Sequence, residues 1–197
     1  MPKKVDHEER RRHVAEAVLR IAGRDGLGQA KLRDVAAEAG MSLGSVQHYF
    51  TSKDEMLRYV VKYLGETVTE RIVAGMGESS GRPVRAFLLS MAAEMLPLDE
   101  RRRAERRAGQ AFTDLAVGVP ELIEDLRQGD RWLRERVAEL IWQGQRAGEL
   151  RPGLDPEREA VVLLAVIDGL AAGLLPDIRE PRQALDAVRY HLDRLAT

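Results

Sequence analysis

Apolar residues recur along this chain at spacings of three and four, and no alternating run of useful length interrupts them, so the pattern predicts helices throughout. Residues 7–23 carry Val14, Val18 and Ile21 on one face, before Gly23 and the Gly26–Gly28 pair break the helix. Two short helices follow at about 32–39 and 43–49. A fourth runs over about 53–74, with Met56, Leu57, Val60, Val61, Leu64, Val68 and Ile72 to one side. Pro83 suits the first turn of the next helix, faced by Val84, Phe87, Leu88, Met91 and Met95 and ended by Pro97. A charged run, Asp99 to Arg107, leads into a helix carrying Ala108, Ala111, Phe112 and Leu115. A long helix from Pro120 to about Ala147 is closed by the loop 148–156, and two more span about 157–175 and 181–196.

The expected fold class is therefore all-α, with about nine helices. An N-terminal three-helix domain over residues 1–52 precedes a helical bundle over 53–197, and the helix 53–74 connects the two. The stretch Gly75 to Gly81 has the most flexible composition in the chain and is a candidate boundary between the two parts.

Residues 33–50 carry the most chemistry. Val35, Ala36, Ala39, Val46 and Phe50 share one inner face, and the small residues Ala36, Ala37 and Ala39 allow two short helices to cross closely. Gly40 stands where the first must stop in a left-handed conformation, and Ser42 where the second needs an N-cap. This is a helix–turn–helix of the size a DNA major groove accepts. On its outer side Leu43, Gln47 and His48 are placed to read bases, with Gln47 suited to adenine. Ser42, Gly44, Ser45, Tyr49 and Lys53 are placed to grip the backbone. Arg10, Arg11 and Arg12 either add backbone contacts or form a solvated face, and His7 and His13 read as surface residues of a polar arm.

Composition changes this picture only slightly. The 44% hydrophobic content is enough for a core, and the formal net charge of −1 announces no nucleic-acid partner in bulk. Residues 1–62 nevertheless carry a net +3 and the remainder −4, the direction a DNA-binding N-terminus requires. Cysteine is absent, which excludes disulfides and thiolate metal sites. The N-terminus is too polar for a signal peptide, and the apolar-rich run Ala160 to Leu175 is broken by Asp168 and shorter than the roughly 20 residues of a membrane span. A cytoplasmic location is expected. No His stands three residues after a Glu, and no His-Glu-x-x-His, phosphate-binding loop or dinucleotide fingerprint occurs, so no enzyme activity, cofactor or metal is expected.

The stretch Val14 to Leu57 resembles the DNA-binding domain of the tetracycline-repressor (TetR) family of one-component bacterial regulators. The resemblance rests on Val35-Ala36-Ala37-Glu38-Ala39-Gly40, Ser42, Gly44-Ser45-Val46, Tyr49-Phe50 and Lys53-Asp54-Glu55. Where the family commonly has a capping threonine this chain has Lys31, losing the cap and gaining a phosphate-seeking charge. The resemblance implies a homodimer formed by the last two long helices, binding double-stranded DNA with two half-sites, and a small effector held in the body.

Two features of the body bear on this. Val161, Leu163, Leu164, Val166, Ile167, Leu170, Leu174 and Leu175 wrap one helix on nearly every side, so it must be covered on nearly every side. With Gly169 and Gly173, and with Leu185, Val188 and Leu192 of the last helix, Val166 and Leu170 are the expected dimer interface; the alternative is the central helix of a monomer. Phe87, Met91, Met95, Phe112, Trp132 and Trp142 are the candidate effector pocket, with a hydrophobic or aromatic effector expected; the alternative is ordinary core. The arginines 101–103, 106 and 107 read as an anion site or as a solvated helix end.

The expected function is a homodimeric transcriptional repressor released from its operator by a small molecule. Effector binding would favour a spacing of the two heads that no longer matches successive major grooves, about 34–36 Å apart. The alternatives are an effector-independent regulator of the same fold and a helical small-molecule-binding protein with a vestigial head.

Overall fold

A computed structural model describes residues 2–26, 31–77 and 83–197. Among these residues the chain forms α1 (Pro2–Asp25), α2 (Leu32–Glu38), α3 (Leu43–Tyr49), α4 (Lys53–Gly77), α5 (Val84–Met95), α6 (Glu100–Ala116), α7 (Pro120–Arg146), α8 (Pro156–Leu174) and α9 (Pro181–Leu195). Among the described residues the extended pairing is a single bridge, Leu150 to Ala196, which ties the loop after α7 to the C-terminus. Of the expected Gly75–Gly81 boundary, residues 75–77 are helical and the rest lies outside the described residues, as do residues 27 and 28 of the Gly26–Gly28 break.

One charged run behaves differently from expectation. The segment Asp99 to Arg107 does not merely lead into a helix; from Glu100 it is helix. Asp99 caps it by accepting from the Arg102 backbone N–H at 2.8 Å, and the Arg102 guanidinium returns to the Asp99 carboxylate at 2.9 Å. Those bonds and the adjacent positive charge hold the Asp99 carboxyl below its ordinary range. Arg102 also pairs with Glu94, so this arginine is committed to intramolecular partners.

The chain forms two compact units, residues 1–67 with 103–126 and residues 68–102 with 127–197. The helices α4, α6 and α7 each contribute residues to both. In the first unit the core is Val14, Val18, Ile21, Val35, Ala36, Val46, Phe50, Met56, Leu57 and Val60, joined by Ala108 and Phe112 of α6. At Gly23 an added Cβ would lie 2.9 Å from the Ala104 Cβ, so α1 and α6 approach at a point that admits no side chain. In the second unit Phe87, Leu88, Met91, Val137, Ile141, Leu163, Ile167, Leu170, Val188 and Leu192 pack together. Each fully buried aliphatic side chain of these cores contributes about 1.5–3 kcal/mol.

The turn between α2 and α3 follows from two backbone bonds. The Met41 N–H donates to the Ala36 carbonyl at 2.9 Å and the Gly40 N–H to the Ala37 carbonyl at 3.1 Å, the six-to-one and five-to-two pair of a Schellman ending. This closure needs a left-handed residue, and Gly40 has φ 61°. A Cβ at Gly40 would meet nothing within 4 Å, so substitution there is penalised by backbone conformation and not by a clash. Gly40→Ala is expected to lower stability by about 1–2 kcal/mol, read as a shifted urea midpoint at unchanged slope. Ala37, expected at the helix crossing, is exposed instead; Ala36 and Ala39 are the buried small residues.

Candidate nucleic-acid interface

The short helix α3 is held from three directions. At its start the Ser42 Oγ accepts from the Ser45 backbone N–H at 3.0 Å, the N-cap its sequence predicts. The Ser42 and Ser45 hydroxyls are also 2.8 Å apart, so one hydrogen is shared between them and one hydroxyl remains free to donate outward. Along its inner face Val46 is fully buried. At its end Phe50 is 1% exposed, and its backbone N–H donates to the Val46 carbonyl at 3.0 Å.

A new helix starts at once. The Ser52 Oγ accepts from the Glu55 N–H at 3.0 Å, while the Glu55 carboxylate accepts from the Thr51 hydroxyl at 2.7 Å and the Thr51 N–H at 2.8 Å. These bonds, the hydroxyl's foremost, hold Glu55 below the usual carboxylate range. The reciprocal pairing leaves Lys53 exposed in the first turn of α4.

The outer residues fall where the spacing predicts. Leu43 is 37% exposed, Gly44, Gln47 and His48 are exposed, and Tyr49 is half-buried. At the start of α2 Lys31 is exposed and its side chain makes no cap; its backbone N–H is taken by the Asp34 carboxylate at 3.3 Å. Arg33, two residues on, is likewise exposed and widens the basic edge of the motif. Its one available signal was a second cation beside Lys31.

The arginines of α1 separate by role. Arg11 is no surface contact: its guanidinium lies 4.6 Å from the Phe50 ring centroid and 4.5 Å from that of Tyr59, and pairs with Glu55 at 3.2 Å. It joins α1 to the end of α3 and the start of α4. Arg12 lies 3.9 Å from Glu8. Tyr59 donates to Glu8 at 2.7 Å; burial first, then that carboxylate, pushes its phenol well above the ordinary range. Two histidines of α1 are exposed, as expected, yet each has a neighbour. The His13 Nε2–H donates to the Ala39 carbonyl at 2.8 Å and ties α1 to the end of α2. His7, though exposed, belongs to a ring cluster with His48 and Tyr49.

The residues expected in the body disperse. Phe112 lies in the core of the first unit at 1% exposure, because α6 is packed against α1 there, and this corrects its assignment to an effector cavity. Phe87 and Met91 are buried in the second unit's core, with Met95 packed against it. Trp132 and Trp142 are exposed, Trp142 lying under the Arg146 guanidinium at 4.9 Å, because both project from the outer side of α7. An open cleft of about 660 Å³ in the second unit is lined by Arg131, Arg134, Glu135, Ala138, Glu157, Arg158, Val161 and Val162, none of them among the six.

Of the expected interface residues, Leu170, Val188 and Leu192 are buried within the chain's own core, which corrects their assignment: the α8–α9 contact consumes them. Gly173 is covered by the Arg179 side chain. Val166 and Leu185 are half-buried, and Gly169 is exposed. The apolar residues left outermost on α8 are Val161 and Val162, at 48% and 45% exposure. No group of three or more metal-binding side chains occurs among the described residues, and no helix there is long and apolar enough to cross a membrane.

A capped, glycine-terminated pair of short helices that presents polar residues on one rigid face is the architecture of a DNA-binding transcriptional regulator. Comparison with known proteins agrees. Residues 15–60 match the family described as bacterial regulatory proteins, tetR family, and residues 84–197 match the family described as BetI-type transcriptional repressor, C-terminal. The chain is 34% identical over 197 residues to the HTH-type transcriptional regulator PksA of Bacillus subtilis (strain 168), covering 99% of this chain and 88% of that one. A transcriptional regulator from Rhodococcus sp. Rha1 superposes with a TM-score of 0.81 at 31% identity, covering 94% of this chain and 95% of that one. A regulator from Saccharomonospora viridis, solved in complex with choline, superposes with a TM-score of 0.81 at 26% identity over 95% of each chain. The chain belongs to the TetR family, with a C-terminal part of the BetI type. It is a transcriptional regulator of the helix–turn–helix class and not an enzyme.

Proposed function

We propose that this regulator acts as a homodimer that represses transcription from an operator with two half-sites, in the cytoplasm, until a small effector releases it. In functional terms residues 1–52 form the reader and residues 53–197 the effector-binding and dimerising part, with α4 as the lever. Support for the lever is that Met56, Leu57 and Val60 lie in the core of the first unit, and Ile72 in that of the second.

The observation that carries the reading is the division of α3 into an inner side that is consumed and an outer side that is not. Val46 and Phe50 are buried, while Leu43, Gln47 and His48 stand exposed on a helix held by its cap, its core contact and the Arg11 stack. Leu43, Gln47 and His48 read bases. Lys31, Arg33, Ser42, Gly44, Ser45, Tyr49 and Lys53 meet the backbone.

Gel-shift titrations against a panel of single-base variants test these roles. Tyr49→Ala and Lys53→Ala are expected to weaken binding to every variant alike, and Lys53→Ala to lower the salt slope by about one. Gln47→Ala is expected to relax preference at particular base pairs, by about 1–3 kcal/mol at its own. Uniform weakening by Gln47→Ala would sink the assignment, and absence of any salt-dependent, sequence-selective complex would sink the function.

Dimerisation is supported by the apolar outer side of α8, where Val161, Val162, Val166 and Gly169 leave surface that one chain does not cover. For the effector, the second unit offers Phe87, Met91 and Met95, and no charged side chain is buried among the described residues, which favours an apolar or aromatic ligand. Choline, held by the Saccharomonospora viridis relative, is the first compound to assay for release of DNA.

A further inference from the structure

The first turns of α1 carry a ring that the reading of α3 does not require. The His7 imidazole lies 4.9 Å from the Tyr49 ring and 6.3 Å from that of His48, both edge to face, and His48 and Tyr49 are 5.2 Å apart in the same manner. His7 and Arg11 are one helical turn apart, so one face of α1 clasps the last turn of α3 twice: Arg11 against Phe50 inside, His7 against Tyr49 and His48 outside. The outer clasp is exposed at both imidazoles. Two of its three members are residues assigned to DNA, so the third stands at the rim of the same surface.

We propose that His7 is a further DNA-contacting residue, acting with His48, and that the two imidazoles take up protons as the duplex binds. The inference rests on α3 being the recognition helix. Imidazole is the side chain whose charge changes near neutrality, and the phosphate backbone supplies the negative potential that favours its cationic form. A protonated ring also donates from both nitrogens, so a ring at the groove edge gains a phosphate contact along with its charge.

The surroundings leave the two rings available for this. From α3 they face each other and the Tyr49 phenol. On α1 the next carboxylate, Glu8, accepts from Tyr59 of α4 and lies beside Arg12. From α4 the carboxylate of Glu55 is taken by Thr51 and Arg11, and Arg11 itself is stacked between Phe50 and Tyr59. Glu8 and Glu55 are thus engaged with partners other than the two rings.

Because the complex favours the protonated rings, affinity is fullest at low pH and is lost as pH rises through neutrality. The test is fluorescence anisotropy with a labelled duplex selected from a random-sequence pool by the wild-type protein. Dissociation constants are measured at constant ionic strength between about pH 6 and pH 8, the range over which imidazole titrates. Wild type is expected to bind about tenfold more tightly at the acidic end, the equivalent of one pKa unit. His7→Gln is expected to remove about half of that logarithmic slope, and His7→Gln with His48→Gln to flatten it. His191→Gln, in the second unit, is expected to keep it. Circular dichroism melts check that each variant folds. A His7→Gln slope equal to wild type overturns the proposal, and so does a wild-type affinity independent of pH; equal weakening at every pH overturns the proton uptake while leaving a contact. Failure of the wild type to select any duplex overturns the reading of α3 instead.

Discussion

Phe50→Ala is expected to cost about 3–5 kcal/mol of stability and to abolish operator binding with it. Phe50 is one of the largest fully buried side chains, at 1% exposure, and it sits where α3 ends and the chain turns into α4. Its ring is 5.5 Å from that of Tyr59 and receives the Arg11 guanidinium. The Arg11 Nε is already buried without a hydrogen-bond partner, so removing the ring leaves a cation beside a cavity with one of its two π faces gone. The loss is therefore the transfer and cavity terms of the ring plus the exposure of a poorly solvated charge. Urea denaturation reads it as a lower midpoint. A loss below about 1 kcal/mol would mean that α1 and α4 collapse onto the space, and that the end of α3 is not held by this stack.

On the proposed homodimer, Gly169→Leu is expected to yield a monomer and to weaken operator binding by about a hundredfold or more, since each head would then bind alone. Within one chain a Cβ at position 169 meets nothing within 4 Å, so the substitution leaves the second unit's own packing alone. That separates association from folding, which substitutions at Leu170 or Val188 would confuse because both belong to the chain's core. Light scattering gives the mass and a thermal melt gives the fold. An unchanged dimer mass would place the interface elsewhere than the outer side of α8.

The head was legible in the sequence because its determinants are close together. Gly40 and Ser42 act on backbone groups within a few residues and do what their positions predict, and Ser52 and Glu55 start the next helix by bonds as local. The body was less legible. Helical spacing identified apolar faces, but it did not say which neighbour would cover each face. Phe112 is the clearest case: its periodicity with Ala108 marked a buried side, and α6 turned that side toward the first unit's core rather than toward an effector. Leu170, Val188 and Leu192 show the same limit, since a stripe facing a second chain and a stripe facing the next helix have the same period. Trp132 and Trp142 fail in the opposite direction, being large, apolar and outermost.

By itself, then, the order of amino acids determined an all-helical chain, the caps and turn of its helix–turn–helix, and a seven-residue second helix with an exposed polar side. Those properties arise from hydrogen bonds and rotamer preferences acting within a turn or two. The tertiary structure alone decided that Arg11 is a half-buried cation stacked on Phe50 and Tyr59, that His13 bonds the carbonyl that ends α2, and that His7 joins His48 and Tyr49. It also decided which apolar side of α8 stays exposed on the single chain. Each of these pairs residues far apart in the chain. Their meeting depends on how helices cross, a property of the whole core that no local pattern encodes.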